Sequence, residues 1–123
     1  MSEQSAIEKS ARPNTVPSLV ADLRALGVRP GGILLVHSSL SALGWVCGGA
    51  AAVVDVLLEV LGADGTLVMP AHTGDLSDPA EWAHPPVPAD WVEPIRAGMP
   101  PFRTAITPTR GMGAVAESFR TWP

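Results

Sequence analysis

The sequence predicts an α/β fold, a βαβ-containing sandwich with helices packed on a mixed sheet. Three observations point that way. Ile33-Leu34-Leu35-Val36 and Thr66-Leu67-Val68-Met69 are short, unbroken apolar runs of strand length. Between them, Ala50 to Leu61 carries Val53, Val54, Val56, Leu57, Leu58, Val60 and Leu61, with polar breaks at Asp55 and Glu59 alone, so a helix here is mostly buried. Gly and Pro turns separate these stretches. Strand, helix and strand in this order form a βαβ unit, which closes right-handed with parallel strands.

Each element follows from its residues. Residues 1–13 are polar and aperiodic, end in Arg12-Pro13, and read as a flexible tail ahead of a domain over 14–123. A helix starts at Thr15, a capping residue, with Pro17 tolerated in its first turn. Val16, Leu19, Val20, Leu23 and Leu26 share one face, and Gly27 supplies the stop, with Val28 folding back toward Leu23. Pro30-Gly31-Gly32 turns into the first strand, whose unbroken apolar character suits cover on both faces. A loop over 37–49 leads to the buried helix. Gly62 ends that helix, Asp64-Gly65 turns, and the second strand follows.

From Pro70 the chain changes character. Eight of its 13 prolines lie between Pro70 and Pro101, among Trp82, Trp91, His72, His84 and several acids. A run of this length with little regular structure is functional or disordered. Two tryptophans and many fixed φ angles favour an ordered loop, with a short helix near Asp90 to Ala97. A last helix runs from Arg110 to about Arg120 through Met112, Val115, Ala116 and Phe119.

Composition narrows the function classes. With 46% hydrophobic and 16% charged residues in 123, there is apolar material for one core. The net charge of −4 argues against nucleic acid or an anionic membrane as partner. Cys47, the single cysteine, makes no internal disulfide and fits a reducing compartment. The first residues have no signal-peptide core, so a cytoplasmic location is expected. Homo-oligomerisation stays open.

Three segments carry candidate chemistry. The loop after the first strand holds Ser38, Ser39 and Ser41 with Gly44, Gly48 and Gly49. Hydroxyls, bare backbone and a helix N-terminus together make a ligand cradle, or an ordinary capped turn. Neither the dinucleotide-binding nor the P-loop glycine pattern is present. Thr107-Pro108-Thr109-Arg110-Gly111-Met112-Gly113 joins a turn, a guanidinium able to fork onto phosphate and two glycines; read plainly, Thr109 caps a helix and Arg110 is solvated. His72, Asp75, Asp78 and Glu81 follow the second strand, where open α/β sheets bind ligands. Carboxylates there attract a cationic ligand or form a solvated acidic loop. No paired His or Cys spacing supports a metal. His37 beside Ser38 is no hydrolase dyad, because strand neighbours point to opposite faces.

His37-Ser38-Ser39-Leu40-Ser41, Met69-Pro70-Ala71-His72-Thr73-Gly74-Asp75 and the Thr107 to Gly113 segment together resemble the aminoglycoside 3-N-acetyltransferase family. Such enzymes move an acetyl group from acetyl-coenzyme A to an amine of an aminoglycoside antibiotic. The resemblance implies coenzyme contacts at His37, Ser38, Ser39, Leu40, Thr107, Arg110, Gly111 and Met112, and acceptor contacts at Asp75 and Asp78. It implies acetyl-coenzyme A as co-substrate, an aminoglycoside as small-molecule partner, and no metal. It also implies a catalytic histidine beyond the equivalent of Trp122-Pro123, which neither His72 nor His84 replaces. Two other readings stand beside it: a relative that acylates another amine, and an inactive N-terminal fragment. On the family's pattern the chain is expected to be its N-terminal portion. Two strands make a poor sheet, and a few hundred Å² of uncovered apolar surface at about 25 cal/mol per Å² forgoes several kcal/mol. An exposed apolar patch is therefore expected.

Overall fold

The computed structural model describes residues 2–123, which divide into two compact units: residues 2–71 with Met112–Pro123, and His72–Gly111.

In the first unit, helices α1 (Glu3–Lys9), α2 (Val16–Ala25), α3 (Leu40–Leu43), α4 (Gly49–Leu61) and α6 (Ala114–Arg120) accompany strands β1 (Ile33–Leu35) and β2 (Thr66–Val68). Residues 1–13 read as a flexible tail, yet Glu3–Lys9 is helical. The Ser2 hydroxyl accepts from the Ser5 N–H, Glu3 lies in the positive first turn and Lys9 in the last. Tertiary bonds hold the segment. Ser10 Oγ accepts from the Trp45 N–H at 2.8 Å, and the Trp45 indole donates to Glu3 Oε1 at 3.2 Å. Asn14 then stitches the chain to residues 43–47: its side-chain amide donates to the Leu43 carbonyl at 2.7 Å, and its carbonyl accepts from the Cys47 N–H at 2.9 Å.

The α2 helix starts as its sequence dictates, with a capping box between Thr15 and Ser18 and Pro17 in the first turn. Its Leu19 and Val20 face α4, the centre of the core. Ala52, Val53, Val54, Val56, Leu57, Val60 and Leu61 of α4 are buried, leaving Asp55, Glu59 and also Leu58 outside. Val115 of α6 joins the same core from the far end of the chain. Gly62 closes α4, and Gly65 lets the chain turn back tightly: a Cβ there would lie 2.5 Å from the Leu61 carbonyl oxygen.

Strands β1 and β2 pair in parallel, with Leu34 opposite Leu67 and Leu35 opposite Val68. A strand–helix–strand unit was the expectation, and the order β1, α4, β2 matches it. The expectation of cover on both faces does not hold. Leu34 and Leu67 pack on the core, whereas Ile33, Leu35 and Val68 are 81%, 62% and 43% exposed. Alternation along a strand sends successive side chains to opposite faces. The helices of this unit cover one face, and an apolar strip stays open on the other.

The second unit has three 3-10 turns, Gly74–Leu76, Pro79–Glu81 and Ala89–Trp91, and one α-helix, α5 (Val92–Gly98). Pro79 is its one buried residue. The short helix expected near 90–97 is present despite Pro94, which sits in the first turn where its missing N–H costs nothing. The helix expected from Arg110 starts instead at Ala114. Gly111 and Gly113 adopt φ of 78° and 88°, left-handed values that interrupt a right-handed helix. Among the described residues, no helix is long and apolar enough to cross a membrane.

Candidate functional site

The loop after β1 builds the first candidate surface. His37 and Ser39 are exposed there, Ser38 and Leu40 half-buried. Ser39 and Ser41 hydroxyls lie 3.2 Å apart. The sequence expected an irregular loop, but Leu40–Leu43 makes one helical turn, fixing Leu40 and Ser41 beside the N-terminus of α4. That terminus has no side-chain cap: Gly48, at φ 86°, leads straight into Gly49. A cavity of about 460 Å³ opens here, with Leu40, Ser41, Trp45, Gly48 and Gly49 among its walls. The Ser41 hydroxyl and the N-terminal N–H groups of α4 can donate to a carbonyl-bearing ligand, while Glu3, which accepts from the Trp45 indole, adds a carboxylate to the same walls.

Met112 and Gly113 belong to the same unit, and Gly113 lies against this loop. A Cβ on Gly113 would lie 3.5 Å from the Ser38 carbonyl oxygen. Gly113, the last residue of one motif, thus reaches the other motif at the carboxyl end of β1.

Asp75, Asp78, Thr107, Arg110 and Gly111 lie in the second unit. The Arg110 guanidinium pairs with the Asp75 carboxylate, both more than half exposed. Sequence reasoning gave these two residues separate roles and missed that they touch. Arg110 also borders a cavity of about 380 Å³ beside Trp82 and His84. Thr107 and Asp75 border another of about 270 Å³. Thr107 Oγ1 accepts from the Arg103 N–H at 2.8 Å, so its hydroxyl is already engaged in a turn.

Asp78 is tied more firmly. Its carboxylate caps the Pro79–Glu81 turn, accepting from the Ala80 N–H at 3.0 Å, and takes two bonds from Arg96 at 3.0 Å each. The Ala80 N–H first, and the Arg96 guanidinium with it, hold the Asp78 carboxyl below its ordinary value. Arg96 in turn bonds Glu93 at 2.5 Å. The sequence reading missed Arg96. The available signal was its spacing three residues after Glu93 on a helix. Neither His72 nor His84 joins a group of three or more potential metal ligands among the described residues.

A family model described as aminoglycoside 3-N-acetyltransferase matches residues 35–123. The chain belongs to that family. It is 49% identical over 118 residues to the SPbeta prophage-derived aminoglycoside N(3')-acetyltransferase-like protein YokD of Bacillus subtilis, a match covering 95% of this chain and 43% of the relative. The crystal structure of YokD superposes with a TM-score of 0.91 at 47% identity, covering 98% of this chain and 45% of that one. A structure of AAC-IIIb as a binary complex with CoASH gives 0.70 at 32% identity, covering 91% and 41%. The sisomicin-bound structure of AAC-VIa gives 0.72 at 33%, again covering 91% and 41%. The chain spans less than half the length of these relatives.

Proposed function

We propose that these residues form the coenzyme-binding N-terminal part of an acetyltransferase domain, over 14–123, acting on the 3-amino group of an aminoglycoside. In that reaction the amine nitrogen attacks the thioester carbonyl carbon of acetyl-coenzyme A. The C–S bond breaks, the coenzyme leaves as its thiol, and the amine loses a proton. The family supports this reading, and the observation that carries it is the contact of Gly113 with the Ser38 carbonyl. It brings the end of one segment expected to hold coenzyme against the other, which supports a cradle beside the open end of α4.

Each residue then has a part. The backbone and hydroxyls of His37, Ser38, Ser39 and Leu40 line the path of the pantetheine and its phosphates, and Met112 and Gly113 close it from the other side. Arg110 forks onto phosphate, with Thr107 and Gly111 shaping the turn that carries it. Asp75 receives an ammonium of the acceptor, while Asp78, held by Arg96, keeps the acidic loop in place and adds to its field. An ammonium at Asp75 and a phosphate at Arg110 each replace a partner that is already half in water, an exchange of small cost. Alignment of the two substrates supplies several kcal/mol of the barrier.

Thiol release from acetyl-coenzyme A, followed with a panel of aminoglycosides, tests the reaction, and calorimetric titration with coenzyme A tests the cradle. Binding of coenzyme A that weakens on Gly113→Val is the expected result. Release with other amines and none with aminoglycosides would overturn the acceptor, and unaltered coenzyme affinity in Gly113→Val would overturn the cradle.

A further inference from the structure

Four tryptophans divide by what holds them. The Trp45 indole donates to Glu3 and the Trp82 indole to Ser77 at 2.8 Å, while Trp122 packs against the first unit's core. Trp91 differs. It is 55% exposed, and its indole N–H meets no acceptor among the described residues. A large aromatic left wet over a concave surface marks a place where something binds.

The surface below it is regular. Trp91, Ile95 and Met99 succeed one another every four residues along α5 and its two caps, so they form one stripe. With Leu76 and Pro100 they line a groove of about 520 Å³, within the range of about 300–1,000 Å³ that small-molecule sites occupy. The helix behind the stripe is held in place, because Arg96 bonds Asp78 and α5 packs on the Pro79–Glu81 turn. One charged side chain, Asp75, stands in the groove wall.

We propose that this groove seats one amino-substituted sugar ring of the acceptor, with Trp91 stacked on the ring's C–H face and Asp75 taking its ammonium. The proposal rests on the aminoglycoside reading above and deepens it by naming the residue that selects the ring. A pyranose offers an apolar face of C–H groups and a polar edge, and an amino substituent puts a positive charge on that edge. An apolar floor with a single carboxylate at one side complements that shape and charge. Arg110 already pairs with Asp75, and an ammonium in the groove takes over that half-exposed pairing, which an apolar peptide has no group to do.

The chain is titrated with sisomicin while the indole N–H signals are followed by NMR, for the unaltered protein, Trp91→Ala, Trp91→Phe and Asp75→Asn. Coenzyme A binding is measured on the same samples. The Trp91 signal is expected to move first, Trp91→Ala to lose about tenfold or more in affinity, and Trp91→Phe to stay within about threefold, because an aromatic face persists. Asp75→Asn is expected to weaken binding as well. An unmoved Trp91 signal, or equal affinity in Trp91→Ala, overturns the groove. So does Trp91→Phe binding as weakly as Trp91→Ala, or an apolar peptide competing where sisomicin does not. If coenzyme A binds normally in those cases, the groove alone fails; if neither ligand binds, the acetyltransferase reading fails with it.

Discussion

The two units are held together by different physics. Residues 2–71 with Met112–Pro123 bury a row of Val and Leu on α4, of which Val54 and Val60 are fully covered. His72–Gly111 buries only Pro79 and relies on fixed proline φ angles, capped turns and ion pairs. The first arrangement gains most of its stability from removing apolar surface from water. The second gains from limiting what its unfolded chain can do, and its surface charges contribute modestly. One unit is a scaffold around a buried helix, and the other is a largely exposed loop ordered by turns and ion pairs.

The largest expected effect tests the scaffold. Leu57→Ala, at a position 4% exposed, should cost about 2–5 kcal/mol in urea unfolding, since both transfer and cavity terms apply. A loss under about 1 kcal/mol would mean the α4 core is not what holds the unit together. Next, Arg110→Ala should weaken coenzyme A by about 1.5–3 kcal/mol in calorimetric titration, while the thermal transition of the scaffold stays put. An equal loss in both measurements would erase the distinction between the units. Gly65→Ala should follow at about 1–3 kcal/mol of stability, because its Cβ would meet the Leu61 backbone. Denaturation at matched conditions reads it directly.

The smallest effect is a pH dependence confined to the second unit. The Asp78 carboxyl lies below its ordinary 3.8 when folded, so the unfolded chain binds its proton more readily. Its contribution is complete above the unfolded value and disappears as pH falls through the lowered folded value. Trp82 fluorescence should therefore report a slight acid loosening below about pH 4, and Asp78→Asn should remove that step. A step that survives the substitution would assign it to another carboxyl.

The scaffold was legible in the sequence because burial writes a period. The capping at Thr15, the buried face of α4 and the parallel strands all follow from spacing and turn residues. The open face of β1 and β2 was not, since an unbroken apolar run reads the same whether one face or both are covered. The position of α6 was missed for a local reason: Gly111 and Gly113 were weighed as ligand contacts, and their positive φ ends any helix there. The helix over 3–9 was hidden because the bonds that dock it come from Trp45. In the second unit, composition announced an ordered loop, but ion pairing between Asp75 and Arg110 joins residues that no periodicity connects. The two segments that carry the family resemblance were readable as motifs, but that Gly113 lies against the Ser38 carbonyl follows from tertiary packing and from no local pattern.

The stitch made by Asn14 has a kinetic consequence. The cradle loop takes its course from bonds between Asn14 and residues 43–47, and from a glycine near the other end of the chain that meets Ser38. Such pairings have high contact order, so they close only after local helices have formed. During refolding, far-ultraviolet ellipticity should return first and competence to bind coenzyme A last. The interval between them would measure how long this chain exists as a helical protein without a site.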